Sequence, residues 1–354
     1  MQKVKHVLLI VLLFGGSTFD LLAQQDTIVE ATILGAEEIE ADKSYNEGIN
    51  QFQNNDFQAA IESFTKAIEL KDGFTKAYLN RGSAYMAVEK YSEAISDFNV
   101  ALNDPEGKEG YYLRAKSYEA LGSRDKAKGD YASAMKAKPE DDRPYYYRGL
   151  IKFNEGDYEG AIEDFTEAIS RNKRHAYAYN DRGSAKRMLE QYDEAIKDYL
   201  KALQIDNKLA FVHNNVGSAY RKKERFDEAV KAYSKAVEVD PKYYIAYNNR
   251  GSAYYDAGEY DRALADFDRA IELNKNYVFA YNNRASAKFK LEDYKGCIDD
   301  CTKAISLDPE YAYAYQNRGN AKELMRDDAG ACSDWKKAAE LGAEGAENYS
   351  AGCK

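Results

Sequence analysis

The stretch AYNNRGSAYYDAG, Ala246–Gly258, has near copies a fixed distance away on both sides, FVHNNVGSAYRKK at Phe211–Lys223 and FAYNNRASAKFKL at Phe279–Leu291. Taking its central small residue as a landmark gives Gly48, Gly82, Ala115, Gly149, Gly183, Gly217, Gly251, Ala285 and Gly319, every step 34 residues except one of 33. The shorter step falls near Asp104 and Pro105, at a join where a loop can absorb it. A second ladder runs in phase through Ala60, Ala94, Ala127, Ala161, Ala195, Ala229, Ala263, Cys297 and Ala331. A third passes through Phe64, Phe98, Tyr131, Phe165, Tyr199, Tyr233, Phe267, Cys301 and Trp335, and a fourth from Ala67 to Ala338. A constant period of this length overrides the division into two or three globular domains that 354 residues would otherwise suggest.

Within one unit, Tyr247, Gly251 and Tyr254 and then Ala263, Phe267 and Ala270 recur three or four residues apart, which is helical periodicity. AGEYDR breaks the two sets, and units close on pairs such as Asp240-Pro241 and Asp308-Pro309, where proline cannot continue a helix. Each unit is therefore expected to be a helical hairpin. Small residues let the two backbones approach, and the aromatic of the third ladder fills the space toward the next hairpin.

These residues and this period resemble the tetratricopeptide repeat, over roughly residues 41–345 and nine units. The resemblance implies an all-α, right-handed superhelical solenoid closed by a short C-terminal capping helix. The first unit departs from the pattern at Ser44 and Gln51 and the ninth at Asp328, as terminal units that meet solvent should. The expected organisation is a signal peptide at 1–23, an acidic linker at 24–40, the repeats at 41–345 and a cap at 346–354.

The leader expectation rests on Lys3, Lys5 and His6 ahead of the apolar run Val7 to Phe14, followed by small residues. Cleavage after Ala23 would leave an exported chain, periplasmic or secreted, with no stable membrane insertion; an uncleaved anchor is the alternative, though the run is short for a bilayer. A net charge of −10 without a block of lysines or arginines argues against nucleic acid and anionic lipid as partners.

Repeats permit one position to be compared with another inside a single chain. Seven units carry an arginine, Arg81, Arg114, Arg148, Arg182, Arg250, Arg284 and Arg318, and the same seven carry an aspartate sixteen residues on, Asp97, Asp130, Asp164, Asp198, Asp266, Asp300 and Asp334. The two remaining units lack both, with Glu47 matched to Ser63 and Val216 to Ala232. Coinciding exceptions predict a structural ion pair inside each hairpin. Tyr247 and Tyr254 are expected on the same packed side.

The opposite side of the first helix repeats another theme. It begins with Tyr177, Phe211, Ile245, Phe279 and Tyr313, continues one turn on with Asp181, Asn215, Asn249, Asn283 and Asn317, and then carries Ser184, Ser218, Ser252 and Ser286. In the family this stripe lines a concave groove, and the amides are similar to the asparagine ladder in the repeat superhelix of O-linked N-acetylglucosamine transferases. Amides standing free there would hydrogen-bond the main chain of an extended peptide, and the rings would hold its side chains. Asn248 and Asn282, one residue earlier, lie at the edge of the stripe. The lysine and asparagine pattern of the family's carboxylate clamp is absent from the sequence.

Of four cysteines, Cys297 and Cys301 stand at core landmarks, whereas Cys332 and Cys353 are placed to staple the terminal cap by a disulfide. The ending GACSDWKKAAELG with a last cysteine resembles tails of exported repeat proteins in Bacteroidota. His6, His175 and His213 lack ligand partners at useful spacing, and no phosphate loop, nucleophile elbow or paired catalytic carboxylate interrupts the period. The expectation is a non-enzymatic scaffold without cofactor or metal, holding a protein or peptide in its groove. Binding of a cell-envelope polysaccharide, with surface tyrosines as stacking platforms, is the alternative.

Overall fold

The structure, a computed structural model, describes residues 18–353, with side chains from residue 35. Among the described residues there are nine helical hairpins and a short closing helix, without a strand. The described residues divide into two compact units, one up to residue 144 and one from residue 145. The first holds α1 (Thr18–Gln53), α2 (Phe57–Leu70), α3 (Thr75–Ala87), α4 (Tyr91–Ala101), α5 (Gly110–Ala120) and α6 (Arg124–Ala137). The second opens in α7 (Arg143–Asn154) and continues through α8 (Tyr158–Arg171), α9 (Ala176–Met188), α10 (Tyr192–Ile205), α11 (Ala210–Lys222), α12 (Phe226–Val239) and α13 (Tyr244–Asp256). It ends with α14 (Tyr260–Leu273), α15 (Val278–Lys290), α16 (Tyr294–Leu307), α17 (Ala312–Leu324), α18 (Asp328–Glu340) and the cap helix α19 (Ala346–Ser350).

The ladders become the core. Every residue of the alanine ladder from Ala60 to Ala331, Cys297 included, is fully buried, and the ring ladder beside it is buried throughout. The glycine landmark exists because the ring lies on it: a Cβ on Gly251 would stand 2.7 Å from Phe267, and one on Gly82 2.5 Å from Phe98. Where the landmark is Ala285, the facing residue is the smaller Cys301, which leaves room for the added methyl, whereas Ala115 is accommodated opposite the buried Tyr131.

Turn geometry repeats as faithfully as packing. Between the helices of each hairpin one residue takes a left-handed backbone, namely Asn55, Glu89, Gly122, Gly156, Glu190, Glu224, Gly258, Glu292 and Arg326. Only three of these nine are glycine, so six turns hold a side chain where the backbone disfavours one. Second helices then start on caps such as Asp157 and Asp293, whose carboxylates accept from the Gly160 and Gly296 N–H at 2.9 Å. The shortened step is taken up by a 3₁₀ turn, Pro105–Glu109, begun by Asp104 accepting from the Glu106 N–H at 2.7 Å.

Residues 1–17 of the expected leader lie outside the described residues, and the segment 24–40 expected as a linker is the leading part of α1. Two of its acidic residues meet lysines, Glu40 on Lys66 of α2 at 2.7 Å and Glu38 on Lys71 just beyond α2 at 2.8 Å. At the other end Cys332 and Cys353 are joined by a disulfide, and Tyr349 stacks on Trp335 with centroids 5.4 Å apart.

Within each unit the first helices of successive hairpins touch one another, as α9, α11, α13, α15 and α17 do in turn, while the second helices make no comparable approach among the described residues. Residues that point away from the second helix therefore share one continuous face.

Candidate partner-binding face

The side of each first helix that faces its second helix is closed by charge. In all seven arginine-bearing hairpins the guanidinium donates from Nε and Nη2 to both oxygens of the predicted aspartate at 2.5–2.9 Å. The aspartates are buried. This two-point geometry is what the coinciding exceptions implied. Hydrogen bonding to Asp266 raises the Arg250 pKa above its already high ordinary value, so the cation is permanent.

Two further partners were not foreseen. The remaining Nη1 reaches the second helix of the preceding hairpin, from Arg81 to Thr65 at 3.0 Å, Arg182 to Thr166 at 3.1 Å, Arg250 to Ser234 at 3.1 Å and Arg284 to Asp268 at 2.6 Å. The arginine thus joins three helices, not two. In four hairpins Lys152, Lys186, Lys288 and Lys322 also contact the same aspartate at 2.7–3.1 Å. These lysines occupy the column of Tyr254, and the tyrosines Tyr247 and Tyr254 are themselves half-buried, not sealed in the core. Tyr247 lies under Arg250 with the cation 5.5 Å from the ring centre. His213 replaces a tyrosine faithfully, meeting the carbonyl of Asn207 six residues earlier just as Tyr281 meets Lys275 and Tyr315 meets Pro309.

On the open side the leading rings are exposed: Tyr177 by 50%, Phe279 by 52% and Tyr313 by 47%, with Phe211 and Ile245 half-buried. Ring contacts gather them into two separate runs. Tyr177 stacks on Phe211 with centroids 5.9 Å apart, and farther along Tyr244, Tyr277, Phe279, Tyr311 and Tyr313 touch in succession at 4.9–6.2 Å. Tyr277 and Tyr311 stand immediately before α15 and α17, in a column of period 34 that also holds Tyr243. That column was readable, but it was not used because it precedes the helical pattern.

The amides are arranged differently from the expectation. Asn215 Nδ2 donates to Asn180 at 3.0 Å, Asn249 to Asn214, Asn283 to Asn248 and Asn317 to Asn282, each of the last three at 2.9 Å. One N–H of every amide is thus committed to the preceding first helix, and the ladder is not open-handed. Its acceptors Asn180, Asn214, Asn248 and Asn282, including the two first placed at the edge, are buried. Ser252 is 7% exposed and receives Asn283 at 3.4 Å, so it belongs to this joint and not to an accessible stripe. Ser286 donates to the Asn282 carbonyl and accepts from Asn317 at 3.1 Å; Ser184 accepts from the buried Tyr199 hydroxyl at 3.2 Å. Ser218, half-buried, stands beside the buried Tyr233.

Asp181 is the one carboxylate in the amide column. It accepts from the Tyr146 hydroxyl at 2.8 Å and from Asn180 at 2.9 Å. Burial raises its pKa above the ordinary value, while these hydrogen bonds oppose the shift.

With the hairpins and their faces in view, the family can be stated. Tetratricopeptide repeat descriptions match residues 45–108 and 217–277, 109–141, 143–175, 174–242 and 278–311. The chain belongs to the tetratricopeptide repeat family, whose members generally bind protein partners and whose fold is typically non-catalytic. It is 36% identical over 113 residues to serine/threonine-protein phosphatase 5 of Mus musculus, a match covering 32% of this chain and 22% of the phosphatase. With heat shock protein STI1 of Saccharomyces cerevisiae it shares 33% identity over 97 residues, 27% of this chain and 16% of that one. The matches thus span about a fifth of these relatives' lengths. A solved tetratricopeptide repeat protein from Parabacteroides merdae superposes with a TM-score of 0.57 at 20% identity, covering 69% of this chain and 97% of that one, which is a likeness of fold.

No group of three or more metal-ligating side chains occurs among the described residues, and no described helix is long and apolar enough to cross a membrane.

Proposed function

We propose that this chain is a non-enzymatic interaction scaffold of the cell envelope that holds an extended segment of a partner protein on the first-helix face of residues 145–354. The observation that carries this reading is a pair of ring runs on one face, Tyr177 with Phe211 and then Tyr244 through Tyr313, in which Tyr177, Phe279 and Tyr313 stand exposed and half-buried rings join them to their neighbours. Core packing does not require exposed rings, and a contiguous apolar patch on an otherwise charged surface is the usual mark of a docking site. Asn215, Asn283 and Asn317 are half-buried on the same face and each keeps hydrogen-bonding capacity beyond the bond to its neighbour. They orient the partner's main chain, and the rings take its side chains. The chain's similarity to repeats of heat shock protein STI1 supports a protein partner, and the expected leader together with the Cys332–Cys353 disulfide supports export.

The test is a photo-crosslinking residue at Tyr313 in living cells, with a Tyr177→Ser, Phe279→Ser variant carrying the same probe. A discrete protein adduct that disappears in the variant, at unchanged thermal midpoint, is the expected result. Adducts indifferent to the two substitutions, or recovery of polysaccharide in place of protein, would overturn the reading.

A further inference from the structure

The inner end of the first helices breaks the repeat's own habit in one region. The two positions just before the turn carry Phe52, Met86, Glu119 and Phe153 with uncharged neighbours in the first four hairpins, and no cation. From the fifth hairpin onward they supply Arg187, Arg221, Lys222 and Lys290, against the acids Asp256 and Glu323. Lys290 is not needed for the joint of its hairpin, where Arg284 already pairs with Asp300; α11–α12 has Val216 and Ala232 in place of that pair, and its Arg221 is used on Asp256 of the next first helix.

Arg221, Lys222 and Lys290 line one open basin of about 660 Å³, where α11, α13 and α15 meet. Two acids line it as well, Asp256 and Glu224. Asp256 is answered by Arg221, whose Nε donates to it at 2.6 Å. Lys222 and Lys290 are exposed, and among the described residues neither has an acidic partner. The basin therefore holds a surplus of positive charge in a chain whose net charge is −10. Its remaining lining is aromatic, with Tyr255 and Tyr260 in ring contact at 5.4 Å and Phe226 beside them.

We infer that this basin takes an acidic side chain of the bound partner segment, flanked by an apolar one, so that the scaffold selects acidic peptides and rejects basic ones. The inference rests on the docking reading above and adds the partner's chemistry. A carboxylate entering between Lys222 and Lys290 meets two ammonium groups with no counterion to displace, and an apolar neighbour covers Tyr255 and Phe226. Elsewhere the predominantly acidic surface repels the same segment, so the basin sets its register. Because both lysines are exposed, the attraction is screened by salt and acts on specificity more than on total affinity.

The experiment measures fluorescence anisotropy of labelled peptides of repeating Glu-Leu-Ser, Gln-Leu-Ser and Lys-Leu-Ser against the full chain. At low salt the glutamate peptide should bind about tenfold more tightly than the glutamine one and the lysine peptide most weakly, the spread closing as salt screens the charges. A Lys222→Glu, Lys290→Glu variant should reverse that order without a change in thermal midpoint. Equal binding of the glutamate and glutamine peptides, no binding of any peptide, or an order that survives the charge reversal would each overturn the basin. The outcomes for the docking row are separable. A Tyr177→Ser, Phe279→Ser variant that weakens all three peptides alike, with a flat ranking in the parent, keeps the row and sinks the basin. A ranking that reverses with charge but ignores the lost rings keeps the basin and sinks the row.

Discussion

The hairpins α11–α12 and α13–α14 stand next to each other and solve the same packing problem with different chemistry. In the second, Arg250 and Asp266 form a two-point ion pair and Arg250 reaches back to Ser234. In the first, the corresponding positions hold Val216, Ala232 and Leu200, so all three members of the polar set are apolar together. The ion pair is thus one of two self-consistent solutions. What the joint cannot accept is half of either, since a guanidinium without its carboxylate pays desolvation with nothing in return.

The sharpest test of that comparison converts one hairpin into the other. Asp266→Ala alone should cost about 3–5 kcal/mol by leaving Arg250 largely buried and short of its main partner, whereas Arg250→Val with Asp266→Ala should recover most of the loss, read from urea unfolding. Equal costs for the single and double variants would show that the pair adds stability of its own. A smaller effect concerns the ring that fills each hairpin. Two repeats earlier Tyr199 donates its hydroxyl to Ser184 at 3.2 Å, whereas Phe267 needs none because Ser252 is met by Asn283. Tyr199→Phe should therefore cost about 1 kcal/mol, although it copies the residue that works two repeats later. The smallest effect lies in the turns, where Glu224 and Gly258 both adopt a left-handed backbone, at φ of 58° and 81°. Glu224→Gly should be neutral to stabilising by up to about 1 kcal/mol, and Gly258→Ala destabilising by a similar amount, as shifts of thermal midpoint.

The hairpins, their core ladders and the ion pairs were legible because each rests on residues that share a position, and a repeated chain displays such positions as columns. Even the arginine-aspartate contact needed only two columns whose exceptions coincide. The amide joint was hidden by its register. Asn249 bonds to Asn214, one residue short of its own equivalent in the preceding unit, so reading Asn215, Asn249 and Asn283 as a single column made them look free. The adjacent column of Asn214, Asn248 and Asn282 was visible, but sequence spacing alone did not reveal that it faces the next helix. Likewise Lys186 and Lys288 occupy a tyrosine position, and only geometry shows that an ammonium there reaches the same aspartate as the arginine. The exposed rings Tyr177, Phe279 and Tyr313 follow from helical angle alone, whereas the contacts that link Phe279 to Tyr313 run through Tyr277 and Tyr311, which lie outside the helices.

The backward reach of the side chains gives the stack a direction in time as well as in space. Within residues 145–354, Asn215, Asn249, Asn283 and Asn317 each donate to the hairpin before their own, and Arg182, Arg250, Arg284 and Arg318 extend a nitrogen the same way, with Asp181 accepting where its neighbours give. A chain emerging N-terminus first carries its fasteners on the newest hairpin and finds their receptors already in place, so each completed turn of synthesis can be locked down without waiting for the next.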